Sequence, residues 1–112
     1  MQTDSETRIS PAAVQLLLEL GIPAHRVGYE QLCVALPHFA RDKQQCLSTE
    51  LYPFVAERLR YSDWRAVEHA IREVIACGWK HRDPAVWSRY FPGFRRAPSN
   101  KRFIATLAEY IP

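Results

Sequence analysis

Glycine, cysteine and methionine are scarce in this chain of 112 residues, which holds 4 Gly, 3 Cys and 1 Met. With so few glycines there is no Gly-rich loop of the kind that cradles a nucleotide phosphate. The cysteines, Cys33, Cys46 and Cys77, are odd in number and far apart. That spacing excludes a disulfide scaffold and predicts reduced thiols in a cytoplasmic protein. Long hydrophobic runs are missing too. The longest aliphatic stretch is Leu16-Leu17-Leu18, far short of the ~20 apolar residues a membrane span needs. The start, Met1-Gln2-Thr3-Asp4-Ser5-Glu6, is polar and acidic, without the basic and apolar regions of a signal peptide. Nor does one sign of charge dominate: 15 Lys and Arg oppose 12 Asp and Glu. An excess of three positive charges does not by itself imply a nucleic-acid partner.

What is present is a chain that is 47% hydrophobic, enough for a packed core and too apolar for disorder. Its length fits one domain. The apolar spacing is helical throughout, with no convincing alternating strand. The expected fold is all-α, about six short helices around one core, with residues 1–9 a flexible leader and 10–112 the domain. Ser10-Pro11 opens the first helix as cap and first-turn proline. Ile9 and Val14 are spaced as a hydrophobic staple, and Gly21 ends the helix. A second helix is expected from about Tyr29, with a kink or early stop at Pro37. Ser48 or Thr49 is expected to cap the next, with Pro53 in its first turn or restarting it. Val67, Ala70, Ile71, Val74, Ile75 and Gly78 give the strongest amphipathic pattern, a helix from Trp64 to Gly78. Asp83-Pro84 and Pro98-Ser99-Asn100 begin two further helices, and Pro92-Gly93 stops the first of them.

The stretch from Tyr52 to Trp79 has helix-turn-helix character, with Ala56 small enough to let the second helix cross close to the first. The outward stripe of that second helix is Arg65, Glu68, His69 and Arg72, at i, i+3, i+4 and i+7. Arginine can donate two bonds to guanine and glutamate can accept from cytosine, so these side chains suit base edges in a major groove. A plain solvated face with Glu68 and Arg72 as an i,i+4 pair explains the same spacing. A second feature is basic: Lys80, His81, Arg82, Arg89, Arg95, Arg96, Lys101 and Arg102 are set locally against Asp83 alone. Lys101 and Arg102 stand in the first turn of the last helix, where its dipole disfavours cations by ~0.3–1 kcal/mol each. A bound phosphate would offset that cost. The phosphate-binding candidates are Lys80, Arg82, Arg95, Arg96, Lys101 and Arg102.

Several short blocks stand in a specific order: Leu20-Gly21-Ile22-Pro23-Ala24-His25, Gly28-Tyr29 and Leu32, Leu51-Tyr52-Pro53, Val55-Ala56, Val67-Glu68-His69-Ala70-Ile71-Arg72, Ile75, Trp79, Phe91, Pro98-Ser99-Asn100 and Phe103-Ile104-Ala105. From about Val14 to Ile111 the chain thereby resembles the DNA-binding effector domain of the stage-zero sporulation response regulators of endospore-forming bacteria. The resemblance implies six helices with a helix-turn-helix. It also implies binding to double-stranded promoter DNA as tandem copies, contact with the RNA polymerase sigma factor, and a place in the cytoplasm at the nucleoid. Glu68 matches the family's recognition-helix glutamate and Arg72 the basic residue one turn later. His69 stands where the family has an arginine, and Ala66 where it has a base-reading arginine. Arg65, the neighbour of Ala66, points ~100° away around the helix. The turn is one residue longer than the family's, and no phosphoacceptor receiver domain precedes the effector in these residues. A stand-alone effector or an excised domain is therefore expected.

No enzyme is expected, and no cofactor or metal. The histidines His25, His38, His69 and His81 form no close ligand pair with the cysteines. Cys77 and His81 share the i,i+4 spacing of a nucleophile and base but lack an orienting acid. Cys33 and Cys46 read as buried thiols, the tryptophans mainly as core, and His25 as a turn-fixing hydrogen bonder. The rival to a sequence-specific transcription regulator is a protein-interaction module that binds a sigma factor or regulator through the Lys80–Phe91 region and no longer reads DNA.

Overall fold

A computed structural model describes residues 10–112; the leader, and with it Ile9 of the expected Ile9–Val14 staple, lies outside the described residues. Those residues are helical, in the order α1 (Pro11–Glu19), α2 (Val27–Arg41), a single π-helical turn (Leu47–Leu51), α3 (Tyr52–Leu59), α4 (Trp64–Lys80), α5 (Pro84–Tyr90) and α6 (Asn100–Ala108). Three of the expected caps form. The side chains of Ser10, Asp83 and Ser99 accept from the backbone N–H groups of Ala13, Ala85 and Arg102. Gly21, at φ 74°, turns the chain after α1, and the Ile22 N–H donates back to the Leu17 carbonyl.

Two expectations about helix boundaries are corrected. Helix α2 begins at Val27 and does not stop at Pro37 but runs on to Arg41. The proline removes only one ladder donor, and burial of Leu36 and Phe39 on either side of it holds the final turn. Neither Ser48 nor Thr49 caps a helix. The chain instead enters α3 through the π turn, with the Leu51 and Tyr52 N–H groups donating to the Cys46 and Leu47 carbonyls. The Glu50 carboxylate accepts from the Cys46 N–H, one half of a capping box. Pro53 lies in the first turn of α3.

Helix α2 is the hub, packed against α1, α3, α4 and α6. The core is built from Leu16, Leu17, Leu32, Leu36, Val55, Ile71, Ile75, Trp87, Phe103 and Leu107, among others. Trp87 anchors the short α5: its indole N–H donates to the Leu20 carbonyl at 2.9 Å. Arg89 and Tyr90 both reach Glu19, tying α5 to α1. Arg89 therefore has a distant acidic partner that local spacing did not reveal. Where α2 crosses α4 the backbones touch: a Cβ on Gly28 would lie 2.3 Å from the Ala70 carbonyl oxygen. Gln31 is fully buried in α2, and its amide pairs with nothing among the described residues. Such a group costs the fold ~1–3 kcal/mol.

Candidate nucleic-acid interface

Helix α3 ends at Leu59, Arg60 turns the chain in the left-handed conformation at φ 68°, and the Tyr61 N–H closes the turn onto the Ala56 carbonyl at 2.7 Å. Asp63 then caps α4, accepting from the Arg65 N–H at 2.9 Å. Helix, four-residue turn (60–63) and longer helix follow one another as a helix-turn-helix requires. Ala56 is buried at the contact. Val67, Ile71, Val74, Ile75 and Gly78 are the buried side of α4.

The other side of α4 carries the stripe. Arg65, His69 and Arg72 are exposed and Glu68 is half-buried. Arg65 lies 3.4 Å from Asp63 and 5.1 Å from the centre of the Trp64 ring. Trp64 in turn stacks on Tyr52. Arg72 and Glu68 form the i,i+4 pair at 3.3 Å. An exposed pair of this kind contributes only ~0.3–0.5 kcal/mol, so it orients the two side chains without locking them away from a ligand. Ala66 is exposed beside Arg65 and supplies no polar group.

The basic residues divide into two groups. Lys101 and Arg102 are exposed in the first turn of α6, with Arg95 and Arg96 exposed on the loop before it. The Arg102 guanidinium lies 5.9 Å from the centre of the Phe94 ring, next to Arg95 in the chain. Of this group, Lys101 shares a groove with Glu68 and Arg72 of the α4 stripe. Asn100, the first residue of α6, donates to the Glu68 carbonyl at 3.1 Å. An open groove of about 730 Å³ is lined by Glu68 and Arg72 of α4, Ser99 to Lys101, and Gln44 to Ser48 around the π turn. Lys80 and Arg82 sit at the far end of α4, ~22 Å from Arg65 along the axis at ~1.5 Å per residue. There Arg82 closes the helix, donating to the Trp79 carbonyl at 2.8 Å and covering the Trp79 ring at 3.7 Å. His81 donates to the Cys77 carbonyl at 3.1 Å and caps the same end, so its ring faces backbone rather than the thiol.

Cys46 is exposed, not buried as the sequence suggested, because the π turn holds it at the rim of the groove. Hydrogen bonds from Thr49 and Ser48 to its sulfur bring its thiol down to about 7, whereas burial pushes Cys33 up to about 11. Iodoacetamide is expected to label Cys46 with a rate that rises through a midpoint near pH 7, as thiolate forms, while Cys33 stays unlabelled in the folded protein. Peptide mapping by mass spectrometry checks this, and preferential labelling of Cys33 would contradict it. His25 is exposed, and its turn is closed by the backbone, with the Arg26 N–H donating to the Pro23 carbonyl. Among the described residues no three His, Cys, Asp or Glu side chains gather as a metal site, and no helix is long and apolar enough to cross a membrane.

Sequence reasoning missed that Asn100 links Tyr52 to the Glu68 backbone. Their signal was faint: a polar-tipped side chain at the start of each of two helices whose other inward positions are apolar. The family model described as Sporulation initiation factor Spo0A C terminal matches residues 13–111, which span all six helices but the first two residues of α1. The chain belongs to this family, and is therefore a sporulation-related DNA-binding effector domain of the all-α kind.

Proposed function

We propose that the chain is a sequence-specific transcription regulator that places α4 in the major groove of promoter DNA. Arg65, Glu68, His69 and Arg72 face base edges. Lys101, Arg102, Arg95 and Arg96 hold the adjoining phosphates, with Lys80 and Arg82 at the far end of the helix. Phosphate contacts fix register and base contacts select sequence. The observation that carries the reading is the join between the two sets: the basic first turn of α6 is hydrogen-bonded to the backbone of the recognition stripe at Glu68. Tandem copies on the promoter and contact with a sigma factor belong to the same reading, supported by the family.

The test separates the two roles. Glu68→Ala is expected to change preference among promoter variants more than it changes affinity for random duplex. Lys101→Ala is expected to weaken binding to all sequences alike and to lower the salt slope by ~1. Fluorescence anisotropy on promoter and random duplexes at several salt concentrations reads both. The division of roles is wrong if the two variants behave alike. Sequence-blind binding by the parent chain would favour the protein-interaction reading.

A further inference from the structure

Asn100 is a buried polar residue at the head of a helix whose next two residues are exposed cations. Its side-chain NH₂ makes two contacts at once. It donates to the Tyr52 hydroxyl on α3 at 3.0 Å and to the Glu68 carbonyl on α4 at 3.1 Å. An amide nitrogen carries two protons, so both bonds form together. An aspartate of the same shape has no donor and would set a carboxylate against the Glu68 carbonyl. The three helices joined at this nitrogen are the first helix of the motif, the recognition helix and the helix bearing Lys101 and Arg102. Ser99 meanwhile accepts from the Arg102 N–H, fixing the first turn of α6 behind the clamp.

We propose that Asn100 is a positioning residue for DNA binding: it sets the distance between the phosphate-holding turn of α6 and the base-reading stripe of α4. This rests on the proposed function above. The consequence is specific. Lys101 meets its phosphate only while α6 is held at Glu68, so the value of Lys101 depends on Asn100. A residue that merely fills space would leave the two contributions independent.

A double-mutant cycle on binding decides the matter. Lys101→Ala, Asn100→Asp and their combination are measured by anisotropy on promoter and random duplexes, at a temperature where circular dichroism shows each variant folded. Lys101→Ala alone is expected to weaken binding about fivefold and lower the salt slope by ~1. In the Asn100→Asp background the same change is expected to cost less than about twofold and to leave the slope unaltered. Should Asn100→Asp not fold, Tyr52→Phe, which keeps the ring on Trp64 and removes only one acceptor, replaces it. There the Lys101 effect is expected to shrink to about half in logarithmic terms. Additive effects, with the parent chain binding normally, overturn the clamp alone. Failure of the parent chain to bind either duplex overturns the proposed function and the clamp with it.

Discussion

Trp87→Ala is expected to destabilise the domain by about 3–5 kcal/mol, the range for removing a large aromatic side chain from a packed core. Trp87 is 1% exposed. Its ring meets Trp79 edge-on with centroids 5.5 Å apart, and lies 5.7 and 6.0 Å from Phe91 and Phe103. The substitution therefore opens a cavity among three other aromatic rings. It also strips the Leu20 carbonyl of the indole N–H that caps the end of α1. Helix α5 has seven residues, too few to persist without tertiary contacts, so its loss is expected to accompany that of the indole. Trp87→Phe retains most of the ring but not the bond and is expected to fall between. Urea unfolding followed by circular dichroism measures the series. A loss below about 1 kcal/mol for the alanine variant would contradict the packing described here.

Gly28→Ala is expected to destabilise by about 1–3 kcal/mol or more, as overpacking does. The sign is diagnostic, because in an open helix interior the same change would stabilise by up to ~1 kcal/mol. At Gly28 the new Cβ would meet the Ala70 carbonyl oxygen at 2.3 Å and Val74 Cβ at 2.9 Å. A backbone oxygen cannot rotate aside, so α2 and α4 must part. Since α4 is the proposed recognition helix, DNA affinity is expected to fall even where the variant is fully folded. Gly21→Ala provides the contrast. Nothing lies within 4 Å of its Cβ, but φ is +74°. Backbone strain of ~1–2 kcal/mol is expected there, with DNA affinity unchanged in the folded protein. Thermal unfolding and duplex binding on the two variants separate close helix contact from strain.

Much of this architecture was legible because the signals are local. Ser10-Pro11, Asp83-Pro84 and Pro98-Ser99-Asn100 satisfy orphan N–H groups within a few residues of themselves, and all three open helices where expected. The stripe of α4 follows from the helical repeat alone. What was not legible depends on contacts distant in sequence or on a balance of small terms. Pro37 fails to end α2 because tertiary burial of Leu36 and Phe39 outweighs one missing hydrogen bond. The π turn has i→i+5 bonds that no apolar period encodes, and it leaves Cys46 exposed. Arg89 finds Glu19 across 70 residues. Asn100 joins three helices through one nitrogen, which composition at either end does not announce.

The most direct test of the account is fluorescence anisotropy of the intact chain on a family-type promoter duplex and on a scrambled duplex of equal length, at low and moderate salt. If α4 reads base edges through Arg65, Glu68, His69 and Arg72, the promoter duplex binds more tightly and the preference survives moderate salt, because base contacts release few counterions. Equal binding to both duplexes that collapses with added salt would leave phosphate attraction alone and contradict the reading of α4 as a sequence-specific recognition helix.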